Sequence, residues 1–219
     1  MAAISETELS SLPARLRTAL RGSSPQRATD RALLAGVPPE YDARMRRFAP
    51  ASPLRAAVLI PIVEEEEGAG ILLTRRAEDL RSHAGQVSFP GGRCDPESED
   101  PVATALRETE EEIGLARSHV EVIGFLPDHL VISGYQVTPV VAMIAAGYAL
   151  TPDPIEVADV FIYPLRALFD ETQHRTRTRT FVDGDIEVYD LSYEDRNVWG
   201  ATAGMLMTLY RTVLAGEHV

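Results

Sequence analysis

The sequence predicts an α/β fold in which a sheet is covered by helices on both faces, with a helical arm ahead of it. Three observations point there. Apolar runs of strand length recur at 54–63, 70–77, 120–126, 136–145 and 156–165. Two helical patterns, at 101–113 and 197–216, are well separated along the chain rather than grouped, which suits helices on opposite faces of one sheet. "TFVDGDIEV" carries an Asp183-Gly184 pair of the kind that closes a tight hairpin.

In chain order, Ser5 to Leu20 sets Leu9, Leu12, Leu16 and Leu20 at helical spacing, with Ser5 and Glu8 placed as a capping box. Residues 22–53 are rich in Pro, Arg and Ala with weak periodicity. They read as an arm that wraps the main domain or contacts a second subunit, which would make a homodimer. The division is therefore an arm over 1–53 and a main domain over 54–219. "LRAAVLIPIV" and "GILLTRRA" read as strands joined by a hairpin loop through "EEEEGAG", whose glutamates are solvated. An irregular stretch through "SFPGGRCDPESED" leads into a helix over Pro101–Ile113, which Gly114 stops. The late strands pass into a short helix at "LRALFD", then the hairpin, then a final helix whose Trp199, Leu206 and Leu209 reach the core.

With 219 residues the chain can bury one substantial core. A net charge of −12 and a pI near 4.9 disfavour nucleic acid and anionic membranes as partners and leave small molecules or cations. Cys94 stands alone, so there is neither an internal disulfide nor a thiolate zinc site, as suits a reducing cytoplasm. No apolar run reaches the roughly 20 residues that span a bilayer, and the first residues lack the basic and apolar regions of a signal peptide.

"RETEEEIG" crowds the carboxylates Glu108, Glu110, Glu111 and Glu112 into a single helical stretch. Like charges three or four apart weaken a helix by a few tenths of a kcal/mol per pair, "~0.2–0.5" being the measured scale, so a compensating cation is the natural explanation. At about 100° per residue, Val102, Leu106, Thr109 and Ile113 share one side while Glu108, Glu111 and Glu112 fall roughly opposite and face out. Glu110 points to the flank as a solvated charge. Three carboxylates on one face suit Mg²⁺ or Mn²⁺, hard cations that take oxygen ligands. The competing reading of such a cluster alone is a solvated acidic face.

Upstream stand the glycines Gly91 and Gly92 of "FPGG" and the acidic Glu97 and Glu99. The order glycine, acidic loop residue, then Arg107-Glu108-x-x-Glu111-Glu112-x-Gly114 closely resembles the Nudix box of hydrolases that act on nucleoside diphosphates linked to another group. Two departures stand out: Gly92 lies one residue further from Glu99 than the general pattern has it, and Thr109 fills a position usually apolar. The resemblance implies a Nudix α/β/α sandwich with a mixed sheet, metal ligation by Glu108, Glu111 and Glu112, and a box glutamate that orients or deprotonates the attacking water. It also implies that Glu99 and Arg107 pair to fix the loop against the helix.

"LLTRRAEDLRSHAGQVSFPGG", Leu72 to Gly92, resembles the additional motif of the coenzyme A pyrophosphatases within that superfamily; with later segments the likeness runs from about Leu54 to Leu214. It implies hydrolysis of coenzyme A or its derivatives to 3′-phosphoadenosine 5′-phosphate and 4′-phosphopantetheine. Arg76 and Arg81 are then the expected phosphate contacts, since guanidinium groups hold phosphate oxygens through paired donors. Arg75 and Arg76 point to opposite faces of their strand, so only one reaches the site. His83, Gly91 and Gly92 complete the expected substrate contacts, His83 standing equally as a residue that holds loop geometry. Glu156 is a further candidate carboxylate for a metal. The stripe Arg175, Arg177, Arg179 reads as a phosphate contact or as protection of an edge strand. The alternatives are a Nudix enzyme for ADP-ribose or a dinucleotide, and a nucleotide sensor without hydrolysis.

Overall fold

A computed structural model describes residues 5–25, 29–66, 68–80, 82–95, 100–181 and 184–215. In chain order the elements are α1 (Glu6–Ala19), β1 (Leu33–Leu34), α2 (Asp42–Arg46), β2 (Leu54–Glu65), β3 (Gly68–Arg76), β4 (Val87–Ser88), β5 (Gly91–Arg93) and α3 (Pro101–Ile113). Then follow β6 (Val120–Phe125), β7 (His129–Val131), β8 (Tyr135–Ile144), β9 (Val157–Pro164), α4 (Leu165–Leu168), β10 (Arg175–Phe181), β11 (Gly184–Asp190) and α5 (Gly200–Ala215).

Strands β1 to β9 form one mixed sheet, with β2 parallel to β8, β1 parallel to β7 and the other pairs antiparallel. Side chains alternate between its two faces. Ile60, Ile62, Ile71, Leu73, Val141 and Met143 pack under α1 and α5 with Leu12, Leu16, Leu206 and Leu209. Their strand neighbours Leu59, Leu72, Val140 and Ala142 pack on the other face with Ala105 and Ile113 of α3. The result is the α/β/α sandwich. Each of these large side chains is worth about 1.5–3 kcal/mol when fully buried, so the two apolar faces dictate the layering.

The structure differs from the sequence reading in three places. The hairpin expected through 64–70 is present but its loop is shorter than the sequence reading had it: β2 runs on to Glu65, opposite Gly68. Backbone pairing continues there with Glu64 and Glu65 exposed, beyond the reach of the core, and Gly68 takes φ +111°, which glycine tolerates. Next, the stretch expected to be irregular contains β4 and β5. Where β2 and β3 diverge, β4 pairs with β3 and β5 with β2, filling the fork. Finally, Trp199 precedes the last helix and is only half-buried. It packs beside a third small core, with the guanidinium groups of Arg177 and Arg179 5.5 and 4.1 Å from its ring centre.

The arm is joined to the main domain. In α1 the Ser5 N–H donates to Glu8 and the Glu8 N–H to Ser5 Oγ, the reciprocal capping box, and Leu12, Leu16 and Leu20 are fully buried. β1 adds a strand beside β7. The following turn sits against α5 so closely that a Cβ on Gly204 would lie 2.4 Å from the Gly36 nitrogen.

Candidate active site

The acidic helix is built to start and stop where the sequence indicates. Asp100 accepts the Ala103 N–H at its N-terminus, and Gly114 ends it with φ +69°. Thr109 is buried, and its hydroxyl donates to the Ala105 carbonyl at 2.6 Å, so a polar residue at an apolar position leaves no unmet donor.

The placement of the carboxylates corrects the sequence reading. Glu112 does not face out: it is 4% exposed, docked against the sheet. At about 100° per residue it stands only about 60° from Thr109, on the flank of the apolar stripe, and β5 covers that flank. Its Oε2 accepts the Gly91 N–H at 3.2 Å, and its Oε1 lies 3.7 Å from the Arg76 guanidinium. Glu108 is half-buried beside Gly92, where a side chain would collide with it: a Cβ there would lie 2.4 Å from the Glu108 carboxyl carbon. Glu111 alone of the three faces solvent. Arg107 holds both, at 2.8 Å from Glu108 and 2.9 Å from Glu111. Glu110 is exposed and pairs with Arg117.

Arg76 and Arg75 diverge as strand neighbours must. Arg75 turns to Glu78 at 3.4 Å, whereas Arg76 turns to Glu112 and its Nε is buried without a hydrogen-bond partner. His83 adopts φ +58° and its Nδ1 contacts Gln86 at 2.9 Å, so in this structure it shapes the loop. Arg81 and Glu99 lie outside the described residues, as does the expected Glu99–Arg107 pair. Sequence reasoning gave Glu156 little weight and missed the loop that brings it in. The N–H groups of Thr151 and Asp153 cap the carbonyls of Ile113 and Glu112, and the Glu156 carbonyl accepts the Ala77 N–H, which sets Glu156 at the end of the acidic helix.

Burial pushes Glu112 up to about 7; the Gly91 N–H and Arg76 pull it back, and the charges of Glu156 and Glu108 push further. Burial also raises Glu108, against the pull of Arg107. The consequence for the metal-free protein has a definite sign. Below the unfolded value of 4.5 both states hold the proton, and as pH rises through about 7 the fold must bury an ionised Glu112. About 3 kcal/mol of stability should be lost across that interval. Thermal melts in chelator at pH 5 and pH 8 should show the wild type losing more stability with rising pH than Glu112→Gln by about this amount, the difference between the two proteins cancelling every other titrating group; equal pH sensitivity of the two proteins would refute the assignment.

Among the described residues, no three His, Cys, Asp or Glu side chains converge closely enough to hold a cation as they stand, and Arg107 engages Glu108 and Glu111. The donor chemistry nevertheless fits a hard dication. A buried carboxylate with a raised proton affinity stands beside two more carboxylates and a glycine strand that leaves space for them.

A glycine strand set against an acidic helix, in a mixed sheet between helical layers, defines a hydrolase of the Nudix type. The NUDIX domain family matches residues 53–183, and the chain belongs to that family. The chain is similar to the Nudix hydrolase NudL of Pectobacterium atrosepticum, 42% identical over 155 residues that cover 71% of this chain and 80% of that protein. NudL of Yersinia pestis is 41% identical over 159 residues, 73% of this chain and 79% of that one. Among solved structures, the Nudix hydrolase RenU of M. smegmatis aligns over 51% of this chain and 71% of its own, with 26% identity and a TM-score of 0.44. Among the described residues no helix is long and apolar enough to cross a membrane.

Proposed function

We propose that this Nudix hydrolase cleaves the pyrophosphate bond of coenzyme A or its derivatives, giving 3′-phosphoadenosine 5′-phosphate and 4′-phosphopantetheine or its acyl form. The observation that carries the reading is the position of Arg76. It belongs to the segment Leu72–Gly92 that resembles the coenzyme A pyrophosphatases, and its guanidinium stands beside the acidic helix. There it opposes the negative field that the carboxylates impose on an incoming pyrophosphate. Glu108, Glu111 and Glu112 would hold Mg²⁺ or Mn²⁺, which when bound would neutralise charge on the phosphoryl oxygens and lower the pKa of a water.

The protein's own groups do the rest. A box glutamate takes the proton of the attacking water as its oxygen bonds to phosphorus and the phosphoanhydride P–O bond breaks. Gly91 holds Glu112 through its N–H, and Arg107 positions Glu108 and Glu111. Glu156 adds negative charge at the same end.

Pure protein with Mg²⁺ or Mn²⁺ and a panel of coenzyme A, ADP-ribose and NADH, with products identified by mass, tests the substrate. Coenzyme A should have the highest kcat/KM; preference for either other compound would overturn the assignment while leaving the reaction class intact. Arg76→Ala should raise KM for coenzyme A about tenfold with a smaller fall in kcat, since a phosphate contact is largely shared by ground and transition states. Its place beside Glu112 favours the pyrophosphate over the 3′-phosphate as its partner. Coenzyme A and 3′-dephospho-coenzyme A should therefore suffer alike, and unchanged kinetics on both would reduce Arg76 to a structural residue.

A further inference from the structure

The mixed sheet ends at β9, which pairs with β3 and with no other strand among the described residues. The backbone groups of an antiparallel strand point by turns to its two sides. In β3 the Arg76 N–H goes to the Gln86 carbonyl on the β4 side, so Ile71, Leu73 and Arg75 are the residues that bond β9, opposite Tyr163, Phe161 and Asp159. Val160 and Ile162 therefore aim their N–H and C=O groups away from β3. No backbone group among the described residues meets them there.

Open edges are commonly blunted by charge or proline, because a bare edge is a template for pairing. β10, which pairs only with β11 among the described residues, follows that rule with Arg175, Arg177 and Arg179. The centre of β9 does not. It reads Val160-Phe161-Ile162, the β-branched and aromatic types that suit a paired strand, and its one proline, Pro164, is its last residue. Ile162 is 37% exposed. Arg196 pairs with Asp159 and lies over the Phe161 ring, 4.8 Å from its centre, which holds that ring in place beside the edge.

This edge is complementary to itself. In an antiparallel pair with its two-fold axis at Phe161, Val160 stands opposite the partner's Ile162, and Ile162 opposite the partner's Val160, so the outward N–H and C=O groups of both residues are satisfied at once. Phe161 meets the partner's Phe161 where side chains come closest. The same register sets Arg166 opposite the partner's Glu156, a pair of unlike charges. It also carries Ile155, at 75% the most exposed large apolar side chain among the described residues, towards a groove of about 950 Å³ lined by Leu9, Pro13, Ile162 and Leu165. One strand pair falls short of the about 800 Å² per partner of a standard interface, and the groove with Ile155 adds apolar area to it. We infer that two copies of this chain associate edge to edge through β9, giving one sheet continuous across the dimer, with Ile155 of each copy against the groove of the other. The arm then covers the main domain and is not the dimer contact.

Sedimentation velocity on the full chain between about 1 and 200 µM should show a monomer–dimer equilibrium with a micromolar Kd. Amide exchange at single-residue resolution should slow at Val160 and Ile162 as the dimer forms, whereas Phe161, bonded to β3 in both states, should not change. Ile162→Lys puts at an exposed position the charge that guards other edges, and should weaken the dimer about tenfold or more. Ile155→Asp, outside the strands and the core, should weaken it about threefold to tenfold; circular dichroism checks that both variants fold. A monomer throughout that range, a dimer as tight in Ile162→Lys as in the wild type, or Val160 and Ile162 amides that exchange equally fast in monomer and dimer would each overturn the proposal. Indifference to Ile155→Asp would remove the groove from the interface.

Discussion

Glu112→Gln should lower turnover of the pyrophosphate substrate about a thousandfold at saturating Mg²⁺ or Mn²⁺, close to 4 kcal/mol of transition-state stabilisation. The substitution keeps the shape and removes the charge of the most buried of the three box carboxylates, 4% exposed and held by the Gly91 N–H. A dication gains most from a ligand that water does not screen, so Glu112 should matter more than exposed Glu111. The fold should survive, because the wild type pays to ionise this group and the amide does not. Product formation by mass, with circular dichroism as the control for folding, measures the effect. Near-normal turnover in Glu108→Gln, Glu111→Gln and Glu112→Gln alike would remove the helix from the chemistry.

What the sequence made legible divides along a physical line. Signals contained within a few residues were readable: the Ser5–Glu8 box, the stop at Gly114, the alternating core runs of β2, β3 and β8, and the β10–β11 hairpin whose ladder closes with Phe181 opposite Gly184. β4 and β5, of two and three residues, are too short to show periodicity, and they exist because β2 and β3 part and leave backbone groups to be paired. The burial of Glu112 depends on β5 crossing the flank of α3, so the composition of the helix suggested an outward acidic face where the fold has a graded one. Glu156 reaches the site through the loop 151–156 that caps α3, a tertiary contact with no local signature. Arg75 and Arg76, by contrast, were separable beforehand, since strand geometry alone sends neighbours to opposite faces.

Substitution of the two adjacent glycines of β5 should separate folding from chemistry. In Gly91→Ala the new Cβ would stand 2.4 Å from the Ala57 carbonyl oxygen and 2.6 Å from the Val58 Cα, on a backbone with φ +151°. Those atoms belong to the paired strand β2 and cannot swing away, so a loss of about 4 kcal/mol is expected, from overpacking and backbone strain together. In Gly92→Ala the Cβ meets the Glu108 carboxyl group instead, at 2.4 Å from its carbon. A glutamate tip turns aside easily. Stability should therefore change little, while the displacement of one box carboxylate by about 1 Å is enough to cost about a hundredfold in rate. Denaturant melts and steady-state kinetics on both variants make the comparison. An active, stable Gly91→Ala protein would show that β5 is not held as described, and wild-type turnover in Gly92→Ala would show that the position of Glu108 does not matter to the reaction.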